Sequence, residues 1–461
     1  MSGPLTPQES VERALAAASE DCVVIASTTH TANLRWANNT LTTNGVTRST
    51  ELTVITIVGG AEARAASVSR NGVTADEIGE LVELSLAEAA GSPTADDAAP
   101  LVDGRTSGDW DEAPAETSIA ALETVAHGLA ESFEIARGRG EGRYGYAEHA
   151  VTTTYVGSSR GLRLRDVQGD GRLELTGRSD DGSRSGWAGL RAATAEGMDV
   201  ASLEREVARR LDWSTRRLDL PAGRYDTILP PSAVADLMVD AYWSMGALDA
   251  HEGSTVYSRP HGGTRVGESL TDVPLTMRSD PALAGLECTP FVVAGASSRL
   301  SSVFDNGLPL ESTEWISEGR LNGLLQTRHS ADITGLPITP FIDNLVVEGR
   351  AATESIDDII ASTDRGLLLT CLWYIREVDP QTLLLTGLTR DGVFLIEGGE
   401  VAGAVTNYRF NESPVDMLRR ITAVGRSEDT LARELGDYFT HTRMPALRIA
   451  EFNMSSVSQA S

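Results

Sequence analysis

The sequence predicts an α+β chain in two parts: an N-terminal α+β domain over 1–222 and a largely antiparallel β domain over 223–461 that opens on a helix. Three observations carry this reading. At 461 residues the chain exceeds the roughly 250 to 300 residues at which single hydrophobic cores stop growing. Helix and strand periodicities are interleaved in the first half, whereas beyond residue 290 strand patterns dominate and glycine-containing turns separate them. A composition of 41% hydrophobic and 23% charged residues lies near the globular average, enough apolar surface for two cores.

The elements follow in order. Residues 6–18 predict a short helix, with Val11, Leu15 and Ala18 on one face and Pro7 near its start. Strand patterns at 22–27, 31–37 and 51–58 come next, with turn chemistry at Asn38 and Asn39 and again at Asn44 and Gly45. A helix over 74–89 carries the stripe Ile78, Leu81, Val82 and Leu86, and Thr74 with Glu77 has the form of a capping box. Residues 91–117 are rich in Pro, Ala and Asp without a period, which predicts an exposed acidic connection. A helix over 118–136, strands at 147–156, 162–167 and 173–177, and a helix near 202–211 complete the first part.

The second part begins with a strand at 224–229, stopped by Pro230 and Pro231. Ser232 is placed to cap a helix over 232–250 whose apolar residues lie on almost every side, so the helix is expected to be buried. Strands are then predicted at 291–294, 301–304, 323–328, 341–347, 367–378, 382–389, 392–396 and 401–410. Gly307, Gly392 and Gly399 supply the positive φ that hairpin turns need. A helix over 415–424, an amphipathic segment over 428–439 and a closing strand over 446–453 end the chain.

Charge and composition exclude several classes of function. A formal charge of −27 argues against direct binding to nucleic acid, which needs a concentrated basic surface. All 39 basic residues are Arg, so Schiff-base and lysine-nucleophile chemistry is excluded. Without a long apolar run or a basic, apolar leader, the chain reads as cytoplasmic and not membrane-bound. Cys22, Cys288 and Cys371 form no CxxC pair and read as buried free thiols.

The seven histidines show no i, i+4 pair and no HExxH, the spacing that puts two imidazoles on one helical face for zinc. His251 and Glu252 are the one His-Glu pair, and no second ligand stands at the fourth or fifth position after His251. His251, Glu252 and His261 are therefore weak metal candidates, and an exposed position after the helix is the plainer account of His251. No GxSxG, GKS or GxGxxG occurs. The residues themselves thus assign no catalytic or cofactor-binding group.

Several separated segments together resemble the TldD/PmbA family, also called modulator of DNA gyrase. They are Leu34-Arg-Trp-Ala-Asn-Asn39, Asp305-Asn-Gly-Leu-Pro309, Gly399-Glu-Val-Ala-Gly-Ala404, Met417-Leu-Arg-Arg-Ile421 and Met444-Pro-Ala-Leu-Arg448, in an order that covers the chain from about Cys22 to Ser458. The resemblance implies a cytoplasmic assembly in which a TldD-type catalytic chain pairs with a TldE (PmbA)-type chain around a cavity where unfolded peptides are cut. In the catalytic type, HExxxH lies on the helix opening the C-terminal domain and a cysteine near the C-terminus is the third zinc ligand.

This sequence departs from that pattern at every ligand. The helix over 232–250 has no histidine, and no cysteine follows Cys371. Asp240 and Asp249 are the replacement carboxylates on offer, and they read better as caps or as partners of Arg. The resemblance therefore implies the TldE type: no metal or cofactor in this chain, zinc in an HExxxH-bearing partner, and peptides as substrates. Two other readings stay open: a stand-alone metallopeptidase with a non-standard site, and a peptide-binding homodimer.

Overall fold

The computed structural model describes residues 5–458, and among these two sheets form. The first is a six-stranded antiparallel sheet in the order β3-β2-β1-β4-β5-β6. Its strands are β1 (Asp21–Ala37), β2 (Thr40–Val58), β3 (Arg64–Asn71), β4 (Glu141–Ser158), β5 (Arg163–Ser179) and β6 (Ser185–Ala192). The helices α1 (Pro7–Ala17), α2 (Ile78–Gly91), α3 (Glu123–Gly138) and α4 (Val200–Trp213) supply its cover.

Alternation on β1 explains the layering, because successive side chains point to opposite faces of a strand. Cys22, Val24 and Ala26 join Val11, Ala14, Ile78 and Leu81 of α1 and α2, while Ala32, Leu34 and Trp36 join Val125, Leu129, Val207 and Leu211 of α3 and α4. The other face is apolar only at one end. There Val23 and Ile25 pack with Phe291, Val303 and Phe304 from the second part of the chain.

The second sheet contains β7 (Arg217–Leu218), β8 (Gly223–Leu229), β9 (Leu275–Ser279), β10 (Thr313–Ser317), β11 (Arg320–Leu321), β12 (Leu345–Gly349) and β13 (Arg365–Leu369). It continues through β14 (Leu372–Asp379), β15 (Leu384–Thr389), β16 (Val393–Glu397), β17 (Glu400–Val405), β18 (Tyr408–Glu412), β19 (Ile421–Thr430) and β20 (Thr442–Val457). Most pairs are antiparallel; β12 with β20, β13 with β8 and β17 with β7 are parallel. Short helices α5 (Pro231–Trp243), α6 (Ala247–His251), α7 (Arg328–Thr334), α8 (Ile356–Ala361) and α9 (Pro414–Met417) punctuate it. No helix among the described residues is long and apolar enough to cross a membrane.

The chain is therefore α+β, as its patterning implies, but several elements differ from expectation. The two patterns at 22–27 and 31–37 are one strand, and Asn44 and Gly45 are not a turn: they sit inside β2, opposite Leu34 and Asn33. Asn38 and Asn39 make the real turn, both at positive φ. Strands 162–167 and 173–177 are likewise one, β5, while β3 and β6 carry too few large apolar residues to announce themselves. Glu77 does accept from the Thr74 amide at 2.8 Å, yet α2 starts only at Ile78.

The acidic connection is not simply exposed. Trp110 is buried edge-on against Tyr155, and Arg165 binds Asp109 at 2.6 Å and the Ala113 carbonyl at 2.9 Å. Farther along, the patterns at 301–304 and 415–424 are a 3-10 turn and a short α9 running into β19, and 291–294 and 323–328 make only isolated bridges. Gly307 closes no hairpin between strands; its positive φ follows that 3-10 turn and lays it against Leu162 and Leu164. The stretches 367–378 and 401–410 each split into two strands.

Within the first sheet lies a buried ionic cluster. Arg143 is fully buried and binds Glu204 at 2.6 and 2.8 Å and Glu141 at 2.9 Å; both carboxylates are buried too. Ser132 on α3 donates to Glu204 at 2.5 Å, so the cluster joins α3, α4 and β4.

Candidate functional site

The helix at which the second part opens is also its centre. Pro230 is the N-cap and Pro231 the first helical residue, so the expected serine cap is absent: Ser232 lies one position inside, and Pro231 has no N–H to satisfy. Residues 232–239, Ala241 and Tyr242 are all buried against the core that β8, β20 and their neighbours form. The helix expected over 232–250 is broken at 244–246. Leu325 decides this break: its amide donates to the Met245 carbonyl at 2.8 Å and its carbonyl accepts from the Ala247 amide at 3.0 Å. Those groups are lost to the helical ladder.

One fully buried residue on α5 is charged in type. Asp236 accepts the amides of Arg433 at 3.2 Å, Glu434 at 2.9 Å and Leu435 at 3.1 Å, all in the segment between β19 and β20. A single carboxylate thus ties the buried helix to a loop nearly 200 residues away. Burial pushes Asp236 up to about 7, while the three amides pull it down. Sequence reasoning passed over this residue. The signal was there: of the two Asp residues on this otherwise apolar helix, Asp236 lies between Ala235 and Leu237 where all sides are apolar, and such a carboxylate must find donors, because an unpaired buried one is too costly.

The loop that Asp236 holds is braced from the first sheet. The Arg433 guanidinium lies over Trp187 of β6 at 5.0 Å and over Trp373 of β14 at 4.6 Å, a cation between two indoles. Glu174 of β5 sits 3.4 Å from Arg433 and accepts from the Trp187 indole at 3.0 Å. Arg172 pairs with Asp437, and Arg376 lies 3.6 Å from Glu434. The expected amphipathic segment 428–439 is therefore the end of β19 plus a clamped loop.

One turn along α5, Asp240 has no Arg partner among the described residues and caps nothing, against expectation; its Oδ2 is buried without a hydrogen bond. Burial, then Glu377 and Glu434, push it up to about 7. A folded value above the ordinary carboxylate range means stability that is present at acid pH and lost as pH rises through about 7. The loss begins once the unfolded carboxyl ionises, near its ordinary value of 3.8, so Asp240→Asn is expected to stabilise the chain by about 2 kcal/mol more at pH 8 than at pH 5. Urea unfolding at both pH values checks this; equal gains at pH 5 and 8 would refute it.

A cleft of about 220 Å³ lies beside this loop, lined by Gln168, Cys288, Thr289, Asp343 and residues 438–441. His441 is buried there, its Nδ1 3.0 Å from the Thr440 hydroxyl and its Nε2 unpartnered; burial, then Arg191, depress it to about 4. Burial pushes the Cys288 thiol up to about 12. Neither the imidazolium nor the thiolate is favoured here.

The structure brings His251, Glu252 and His261 into one exposed surface turn, in which the Gly263 amide donates to the His251 carbonyl at 3.2 Å. His251 closes α6, Glu252 and Asp249 both pair with Arg299, and His261 stands at positive φ. Among the described residues no group of three or more His, Cys, Asp and Glu side chains is arranged to hold a metal ion.

Residues 222–456, just over half the chain, match the PmbA/TldA metallopeptidase C-terminal domain. The chain belongs to the TldD/PmbA family. No curated protein matches it. Among solved structures, TldE from Thermococcus kodakarensis superposes with a TM-score of 0.74 at 16% identity, over 97% of this chain and 99% of that one. A protein described as a candidate modulator of DNA gyrase from Bacteroides thetaiotaomicron gives 0.77 at 14% identity, over 98% of each. One so described from Thermotoga maritima gives 0.75 at 16%, over 97% of this chain and 99% of that one. At such identities the superpositions establish the shared two-sheet fold.

A metallopeptidase family implies zinc, and the donors on α5 do not fit it. The helix offers no imidazole, Asp236 is already engaged by three amides, and the groups that raise Asp240 are the carboxylates of Glu377 and Glu434, with no metal-holding group of His, Cys, Asp and Glu among the described residues.

Proposed function

We propose that this TldD/PmbA chain is the non-catalytic, TldE-type subunit of a cytoplasmic zinc peptidase that acts on unfolded peptides. The observation that carries the reading is the hydrogen-bonded tie from Asp236 to residues 433–435. The resemblance places the catalytic type's histidines on this helix and its cysteine ligand after Met417. In this chain the helix is joined to a segment after Met417 by a carboxylate and three amides. The chain holds the architecture of the site and closes the cavity, and an HExxxH-bearing partner supplies the zinc.

Co-purification with metal analysis tests this. The chain expressed alone is expected to carry far less than one zinc and to leave an unfolded peptide intact. With an HExxxH-bearing partner, cleavage and about one zinc per pair are expected. Stoichiometric zinc in the chain alone, lost in His251→Ala, would establish the stand-alone peptidase instead. A peptide-binding pair of identical chains with no partner in native lysate would establish the homodimer.

A further inference from the structure

A second concavity, of about 560 Å³, opens where β18, α9 and β20 meet, and its floor is built from buried ionic groups. Glu412, buried at the end of β18, accepts from Arg420 at 2.5 Å and from the Asn453 amide at 2.6 Å. Arg420 also donates to the carbonyls of Ala450 and Glu451, both at 3.0 Å, and Arg224 donates to the Glu451 carbonyl at 3.1 Å. Glu451 has a φ of 53° where β20 slips register between Ile449 and Phe452. Two guanidinium groups therefore hold a bulge in a conformation that non-glycine residues adopt at a cost, a device found where a strand is re-aimed beside a site.

The charges lining the groove do not cancel. Arg420 takes Glu412 and Asp416, and Glu268 is shared by Arg265 and Arg259. Arg419 is exposed and has no ion pair or hydrogen bond among the described residues, and Arg224 touches only a carbonyl. In a chain of net charge −27, one concave surface keeps two guanidinium groups without a carboxylate. Guanidinium forks match planar oxyanions. Glu268 and Asp416 on the same walls disfavour a dianion such as phosphate and tolerate a monoanion.

We infer that this groove binds the free C-terminal carboxylate of a peptide between Arg224 and Arg419. The choice of a peptide rests on the peptide-handling role proposed above; the choice of a carboxylate rests on the groove.

Fluorescence anisotropy on the full chain tests it, with one labelled unfolded heptapeptide as free acid, as C-terminal amide, and as an amide carrying an internal Asp. The free acid is expected to bind about tenfold tighter than the plain amide, and Arg419→Gln, at an exposed position, to erase that preference. Equal binding of acid and amide, or a preference that survives Arg419→Gln, overturns the groove while leaving peptide handling intact. Failure of all three peptides to bind, with and without the catalytic partner, overturns both. An internal-Asp amide that binds as tightly as the free acid overturns the terminal assignment. Phosphate competing better than acetate overturns the monoanion.

Discussion

Asp236→Ala is expected to cost about 3 to 5 kcal/mol, because it leaves three amides of a clamped loop facing a dry cavity. Asp236→Asn keeps one acceptor oxygen and is expected to lose about half as much. Hydrogen exchange distinguishes this from general damage. The amides of Arg433, Glu434 and Leu435 are expected to lose protection in Asp236→Ala well before the strands do. Unchanged protection at 433–435 would show that the carboxylate does not hold the loop. The assembly should register the change too, since the loop bears on Trp187 and Glu174 of the first sheet through Arg433.

Arg143→Met is the second large effect. It removes the cation between Glu141 and Glu204 and leaves two carboxylates buried without it, a change expected to cost about 3 to 5 kcal/mol at neutral pH. Because the stranded carboxylates are relieved by protonation, the variant should regain part of its stability as pH falls toward 5. Replacing all three groups, as in Arg143→Met with Glu141→Gln and Glu204→Gln, should recover much of the loss. Denaturant unfolding of the single and triple variants checks the pair of expectations; a triple variant no more stable than the single one would locate the cost in packing instead.

Much of the architecture was legible in the residues because it is set by short-range periodicity. The alternation in β1 and the apolar character of 232–239 were visible, since burial on one face or on all faces leaves a period in the sequence. The failures share a cause. Asn44 with Gly45, and Gly307, have turn chemistry, but only pairing partners decide whether such residues turn, and β1 pairs straight past the first two. The helix over 232–250 looked continuous because nothing nearby breaks it; Leu325, about 80 residues on, does.

What the sequence determined by itself is chemical inventory: no imidazole on the opening helix, no cysteine after Cys371, no lysine anywhere, and the motif order of the TldD/PmbA family. What only the tertiary structure decided is how those side chains are used. That Asp236 is a tie to residues 433–435, that Asp240 lies half-buried among carboxylates, and that Arg419 and Arg224 share a groove depend on segments some 140 to 200 positions apart. A residue's type limits the bonds it can make, but hydrogen bonds and desolvation act over a few ångströms of space, and the distances between distant segments are set by how the two sheets close around α5.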